Sequence, residues 1–307
     1  LVDGLSWDLI GNHAPGITPW LDGRPQRGLQ ALRCLDPSNW SSTATLASLL
    51  TGHYGHGLGS DADDFVLPAG AETLAEVYAA AGRGTLAFGT AASADADLTQ
   101  GIDVFYTLPD DATAADVLSQ TVLPALSSRS REDYFAWIQL AEVLGPDAPF
   151  AAVDTWLAAL DQALSELDAD AQRPVIALVG GRMQPVGDPW AGRLPARVPA
   201  LITLQQRAHI SWPVETLDVK ATLLEHEQLR APSPERPHYD RGRSLMSMLR
   251  GEHANSQLDR SALVVTRDGL SLALHGPGGV LSHTDGQGLA FTPMGGQQPL
   301  PSPYSAP

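Results

Sequence analysis

A run of hydroxyl side chains stands directly before an apolar, helix-like segment in residues 37–57, PSNWSSTATLASLLTGHYGHG. Ser42 and Thr43 come at the start of that segment, and Gly52, a residue type that ends helices, closes it. A hydroxyl there can act as a nucleophile once a base or a metal lowers its pKa. Serine is also a common helix N-cap, so Ser42 is either a nucleophile or a structural residue at the helix start.

Side chains that could hold a metal next to this hydroxyl occur nearby in the sequence. Asp3 follows a strand-like start, LVDGL, and carboxylates are ligands for hard cations. The alternating carboxylates of SDADD could bind a hard cation such as calcium, but we favour a solvated acidic loop there. The histidines fit either a ligand role or a loop that seats the helix end. These further candidates are Asp8, His53, His56, Asp61, Asp63 and Asp64.

Strand-like and helix-like segments alternate along the first 250 residues. The apolar strand-like runs include GTLAFGT, DYFAWIQLAEV, RPVIALVGG and VPALITL. Between them lie segments with helical spacing, among them AGAETLAEVYAAAGR, TAADVLSQTVLPALSS (with a kink expected at Pro124), FAAVDTWLAALDQALSEL and VETLDVKATLLEHEQL. This alternation predicts an α/β fold with a mostly parallel central sheet between helices, and DYFAWIQLAEV predicts a strand buried on both faces.

The character of the sequence changes at about Gly251. Short strand-like pieces are then separated by Asp-Gly and Gly-Gly pairs, which are typical of hairpin turns. We therefore predict an α/β domain over 1–250 and a small antiparallel subdomain over 251–295. Residues 296–307 are rich in Pro, Gln and Ser, so we expect an extended tail there.

The charge and cysteine content exclude several classes of protein. The 307 residues include 35 acidic and 19 basic side chains, a net charge of −16, which disfavours nucleic-acid binding. The single cysteine, Cys34, excludes an intrachain disulfide and a cysteine-cluster metal site. No apolar run reaches the length of a membrane span. Leu1 is not a methionine, so we expect residues upstream, where a signal peptide or membrane anchor could stand.

Taken in order, several of these segments resemble landmarks of the sulfatase branch of the alkaline phosphatase superfamily. Asp3 in LVDGLSWD is similar to the first metal aspartate of that family, and the resemblance extends over roughly residues 1–290. The other matching segments are ITPWLDGRPQRG, SLLTGHYGHG, ETLAEVYAAAGRGTLAF, GIDVFY, VPALIT, VETLDVKATLLE and GRSLMSMLRG. The resemblance implies the fold predicted above, a crevice with an ester-hydrolysing site, and a location outside the cytoplasm.

The resemblance also assigns a nucleophile position. Counting back ten residues from Gly52 gives Ser42, and related phosphatases place serine or threonine there, so Ser42 or Thr43 would attack in an active enzyme. Sulfatases instead use a formylglycine, whose maturation pattern needs Pro two residues on and Arg four residues on. Ala44 and Leu46 stand at those positions, so we do not expect formylglycine formation.

The metal site implied by the resemblance lacks most of its ligands. The family places an Asp-His pair after a late strand, whereas VIALV continues here into Gly180, Gly181 and Arg182, and no Asp-His pair occurs anywhere in the sequence. Gly145 and Arg193 stand near the places of two further histidines. Asp3 is thus left almost alone as a ligand. Arg182 and Arg193 could bind an anion directly through charge-assisted hydrogen bonds, or form ordinary ion pairs with acidic side chains.

These residues support two functions from different classes. The first is a catalytically degenerate sulfatase-like protein, a pseudoenzyme without a cofactor. It would act as a binding or scaffold subunit, possessing a crevice for an anionic small molecule or headgroup, or for a protein partner in a larger assembly. The second is a hydrolase of sulfate or phosphate esters, in which Ser42 or Thr43 attacks and Asp3 helps to hold a single divalent cation. The lost Asp-His pair favours the first.

Overall fold

The fold is taken from a computed structural model. The structure describes residues 1–2, 19–23, 29–38, 41–60, 64–109, 116–128, 133–140, 150–167, 175–181, 197–202, 208–210, 213–229, 242–250, 262–265, 271–276, 279–284 and 288–293. Within these residues, none of the helices has the length and apolar character needed to cross a membrane.

Helices and strands alternate over most of the described chain, as the sequence predicted. The helices are α1 (Pro19–Gly23), α2 (Ser42–Thr51), α3 (Gly55–Leu58), α4 (Leu74–Ala80), α5 (Ala91–Asp95), α6 (Leu123–Ser127), α7 (Phe150–Leu167), α8 (Asp218–His226) and α9 (Met246–Leu249). The strands are β1 (Leu29–Leu35), β2 (Gly84–Gly89), β3 (Val104–Thr107), β4 (Tyr134–Ile138), β5 (Ala177–Val179), β6 (Arg197–Ile202), β7 (Ala208–Ile210), β8 (Val214–Glu215), β9 (Ala262–Val265), β10 (Ser271–Gly276), β11 (Gly279–Thr284) and β12 (Gly288–Pro293).

Two sheets form the centre of the molecule. One has the order β5-β6-β1-β7, with β8 also paired to β1, and the other has the order β3-β2-β4. β1 runs parallel to β7 and β8, and β2 runs parallel to β3 and β4, whereas β6 is antiparallel to both β1 and β5. The predicted mostly parallel α/β sheet is therefore confirmed.

The first two residues join these two sheets. The amino group of Leu1 donates to the carbonyl of Ile138 at 2.8 Å, and the N–H of Leu140 donates to the carbonyl of Leu1 at 3.0 Å. On the other side, Val2 donates to Val179 and accepts from Gly181, each at 2.9 Å. Residues 1–2 therefore lie between β4 and β5 as a short parallel strand piece, which makes the central sheet continuous.

Apolar helices cover both faces of this sheet. On one face, α2, α4 and α8 contribute buried residues to a core that includes Ala87 of β2. On the other face, α6 and α7 contribute to a second core that includes Leu86 and Phe88 of the same strand. Because side chains alternate along a strand, β2 supplies both cores, as expected for a strand buried between two helical layers.

Two local predictions differ from the structure. A π-helical segment, Val117–Val122, precedes α6, where the sequence predicted a kink at Pro124. The N–H of Leu123 donates to the carbonyl of Leu118, and this wider turn accommodates a proline that has no N–H to donate. The second difference is β4, in which only Trp137 is buried. The other four residues of β4 are half-buried.

The C-terminal part of the described chain is a four-stranded antiparallel sheet in the order β12-β11-β10-β9. Its strands are connected in sequence as hairpins, with Gly276 opposite Gly279 and Thr284 opposite Gly288. The pairing agrees with the hairpin turns expected from the Gly-Gly and Asp-Gly pairs. The boundaries 1–250 and 251–295 stay predictions, and the tail 296–307 lies outside the described residues.

Candidate functional site

Several chain segments end or begin at one edge of the central sheet. β1 and β5 both run antiparallel to β6, so they run in the same direction, and Val2 pairs in parallel with Gly180. α2 begins only seven positions after the last residue of β1, so its first turn lies at the carboxyl end of β1. Ser42, Thr43, Gly180 and Gly181 therefore belong to the same sheet edge, where ligands bind in open α/β sheets.

The start of α2 brings several hydrogen-bonding groups to this edge. Ser41 is the N-cap: its backbone is extended, with φ −153° and ψ 151°, and its hydroxyl accepts from the N–H of Ala44 at 2.9 Å. The possible cap role of Ser42 is therefore wrong by one residue, because Ser42 already has helical backbone and lies inside the first turn. Within the described residues, the half-buried hydroxyls of Ser42 and Thr43 form no hydrogen bond. They stand beside the positive end of the helix dipole.

The resemblance predicts an Asp-His pair after β5, and two glycines follow that strand in the structure. Gly180 and Gly181 are buried, and Gly181 donates its N–H to Val2. Glycine offers no side chain to a metal. The neighbouring end of β4 carries Gln139, whose buried amide oxygen already accepts from the hydroxyl of Ser93. Of the residues described here, Gly180 and Gly181 therefore offer no side-chain ligand to a divalent cation.

Other predicted site residues lie elsewhere or outside the described chain. His53 and His56 follow the C-terminal end of α2, whose ten residues span roughly 15 Å. The structure therefore separates both histidines from Ser42 by the length of the helix. Among the described residues, no group of three or more His, Cys, Asp or Glu side chains could hold a metal. Asp64 is exposed. Six predicted residues lie outside the described chain: Asp3, Asp8, Asp61, Asp63, Arg182 and Arg193.

Three buried carboxylates near the same edge were missed by the sequence analysis. Asp36 follows β1, Glu215 ends β8 and Asp218 begins α8. All three lie close enough to Cys34 to affect the pKa of its thiol. Burial first, and then the charges of Asp218, Asp36 and Glu215, raise the pKa of the Cys34 thiol well above its usual value. Cys34 is therefore a neutral core residue.

Hydrogen bonds give each of these carboxylates a structural role. Asp36 accepts from the N–H of Ser38 at 2.9 Å, Glu215 accepts from the hydroxyl of Tyr54 at 3.0 Å, and Asp218 accepts from the N–H of Glu215 at 3.0 Å. An aspartate that accepts from the N–H two residues ahead forms an Asx turn. The sequence Asp-Pro-Ser at 36–38 was a signal for that turn.

Comparisons with known proteins agree with this geometry at the level of the fold. A scan against protein-family models finds no match, and neither does a comparison with curated proteins. Solved structures do match: a protein in the alkaline phosphatase superfamily from Vibrio parahaemolyticus superposes with a TM-score of 0.68 at 14% identity, covering 95% of this chain and 77% of that one. The chain therefore has the α/β fold of the alkaline phosphatase superfamily.

Two further matches show which branches share this fold. The phosphonate monoester hydrolase of Agrobacterium radiobacter has a TM-score of 0.75 at 13% identity, covering 95% of this chain and 88% of that one. BT1596, a 2-O GAG sulfatase, has a TM-score of 0.72 at 14% identity, covering 95% of this chain and 83% of that one. The resemblance seen in the sequence is confirmed for the fold.

Proposed function

We propose that this chain is a non-hydrolytic, sulfatase-shaped binding protein whose crevice takes an anionic ester group. The observation that carries the proposal is the parallel pairing of Val2 with Gly180. Two glycines thus lie beside the strand piece that leads to Asp3, and the resemblance implies that a hydrolase would have metal ligands after this strand. Without those ligands, a serine or threonine hydroxyl keeps its ordinary, weak nucleophilicity near pH 7.

The start of α2 supports an anionic ligand. Its first N–H groups and the hydroxyls of Ser42 and Thr43 are donors at the positive end of a helix dipole. Arg182 and Arg193 would add charge to the same crevice. Among proteins with this fold, BT4656 was solved in complex with its substrate D-Glucosamine-2-N, 6-O-disulfate, so we take a sulfated sugar as the first ligand to test.

The test combines binding and turnover on one preparation. Isothermal titration calorimetry with glucosamine 2-N,6-O-disulfate should show binding, while generic aryl sulfate and aryl phosphate substrates should show no hydrolysis. Arg182→Ala should weaken binding about tenfold, because one charge-assisted hydrogen bond is worth roughly 1.5 kcal/mol or more. Arg83→Ala is the matched control, since Arg83 pairs with Glu227 at 2.8 Å and should leave the affinity unchanged.

The second candidate is a hydrolase of sulfate or phosphate esters. It is favoured by the hydroxyls of Ser42 and Thr43 at the sheet edge, which form no hydrogen bond with another residue of the described chain. A stoichiometric divalent cation in the purified protein, together with turnover that Ser42→Ala abolishes, would establish this candidate and refute the binding proposal. Absence of both turnover and sugar binding would refute both proposals for this crevice.

The cellular setting belongs to the same proposal. We place the chain outside the cytoplasm, as a binding or scaffold subunit of a larger assembly, on the resemblance alone. Fractionation of the native cell, followed by co-purification of the protein, would test both parts. Recovery in the cytoplasmic fraction as a single species would contradict them.

A further inference from the structure

Thr45 lies in the first turn of α2 and is fully buried, although it carries a hydroxyl. That hydroxyl donates to a carboxylate oxygen of Asp36 at 2.5 Å and lies 3.2 Å from the carbonyl oxygen of Ser38. Both partners belong to the connection between β1 and α2. One side chain of the helix therefore holds the segment that leads into the helix.

The same connection is fixed at a second point, one helical turn further on. The hydroxyl of Ser38 shares a hydrogen bond with the hydroxyl of Ser48 at 2.6 Å and accepts from the N–H of Gly55 at 3.0 Å. Thr45 and Ser48 are three residues apart, so they lie on the same face of α2. Residues 36–38 of the connection are therefore bound along this helix face by buried hydrogen bonds, unlike a typical surface loop.

We infer that Thr45 is a positioning residue, which holds the start of α2 and so keeps Ser42 and Thr43 at the sheet edge. The expected effect on ligand binding rests on the proposed function, because Ser42 and Thr43 are the donors assigned to the anionic ligand. Buried donors and acceptors that lose their partner are costly, so the first turn should loosen when this hydroxyl is removed.

Two other buried threonines, Thr51 and Thr222, serve as matched controls for Thr45. Thr51, at the far end of α2, donates to the carbonyl of Ala47 at 2.7 Å and accepts from the N–H of His53. Thr222 of α8 donates to the carbonyl of Asp218 at 2.6 Å and accepts from the N–H of Leu245 at 3.0 Å. Both are fully buried, as Thr45 is. Threonine to valine removes the hydroxyl at each position and keeps the branched shape.

The measurements are inorganic sulfate affinity by calorimetry, amide hydrogen exchange over residues 41–45, and thermal stability. All three variants should lose stability, because each loses a buried hydroxyl with two hydrogen-bond contacts. Only Thr45→Val should lower sulfate affinity, by about tenfold, and speed exchange in the first turn of α2 by about tenfold or more. Thr45→Ser, which restores the hydroxyl, should recover both values.

The outcomes separate this inference from the proposed function. If the unaltered protein binds no sulfate, the proposed anion site fails, and exchange over residues 41–45 decides the positioning role alone. Exchange in Thr45→Val that matches the Thr51→Val and Thr222→Val controls would overturn the inference. If Thr45→Val does not fold, Asp36→Asn, which weakens the same contact, replaces it under the same criteria.

Discussion

Tyr78 shows how burial sets the chemistry of a single side chain. Its ring stacks on Phe135 with the ring centroids 4.7 Å apart, and the guanidinium of Arg83 lies 5.3 Å from the ring centroid. Burial and the charge of Glu227 raise the pKa of Tyr78 to about 12, although Arg83 acts in the opposite direction. In an ultraviolet titration, we expect one tyrosine to ionise near pH 12, after the exposed ones. Tyr78→Phe should remove that last step, and complete ionisation by pH 11 in the unaltered protein would contradict the assignment.

Cys34 makes the stability depend on pH in the alkaline range. Its folded-state pKa is raised, mainly by burial, whereas the unfolded chain ionises near the ordinary value of 9.0. Above that pH the unfolded state binds fewer protons than the folded state, so this contribution is complete below about pH 9 and is lost as pH rises.

The corresponding experiment compares the unaltered protein with Cys34→Ala. Between pH 8 and pH 10, the free energy of unfolding should fall by about 1.4 kcal/mol more in the unaltered protein, as measured by urea denaturation. Parallel pH profiles for the two proteins would show that Cys34 ionises equally in both states.

At the scale of elements, a side chain of α8 also binds the C-terminal end of α2. Lys220 of α8 is buried, and its ammonium donates to the carbonyl oxygens of Thr51 and Glu72, each at 2.9 Å. Lys220→Met should lower the free energy of unfolding by about 2–4 kcal/mol, because two buried carbonyls lose a charged donor. The measurement is the denaturation midpoint in urea.

The control for Lys220 is an exposed cation. Arg250 pairs with Glu225 at 2.6 Å, with 40% and 38% of their side-chain surfaces exposed, so Arg250→Met should cost less than about 1 kcal/mol. Equal losses in the two variants would mean that Lys220 contributes no more than a surface ion pair.

Elements with strong local signals were predictable from the sequence. The apolar spacing of FAAVDTWLAALDQALSEL marks α7 over its full length, Phe150–Leu167, and Gly52 ends α2 with φ 73°. The wide turn before Pro124 was not predictable, because a proline signals a break without specifying how the backbone absorbs it. Ser41 and Ser42 are adjacent and chemically identical, so only the backbone angles distinguish the cap from the first helical residue.

The sequence predicted which segments and residue types form the candidate site, but it did not predict the contacts between their side chains. The strand before Gly180 and the helix after Thr43 followed from the sequence pattern, and so did the absence of an Asp-His pair. The contact between Asp36 and Thr45 depends on how a connection folds back onto a helix, which no periodicity encodes. The side-chain geometry around Asp3 stays a prediction.

At the scale of the whole molecule, Val2 is 2% exposed and lies where the two central sheets meet. Val2→Asp should lower the free energy of unfolding by roughly 3–5 kcal/mol, because it buries a carboxylate at this junction. Val66→Asp is the control, since Val66 is 56% exposed and should tolerate the change. The measurement is denaturant unfolding, and a comparable loss in both variants would show that the junction contributes little to stability.

The junction formed by residues 1–2 also affects how the chain can fold during synthesis. The hydrogen bond from Leu1 to Ile138 links residues 137 positions apart, and the bond from Gly181 to Val2 spans a longer stretch still. At about 5–20 residues per second, translation from Leu1 to Gly181 takes roughly 10–40 s. Residues 1–2 have no strand to pair with until β4 has been synthesised, and their pairing with Gly181 must wait for the rest of that time. The nascent chain therefore depends on its local helices, or on a chaperone, to keep apolar strands apart until the sheet can close.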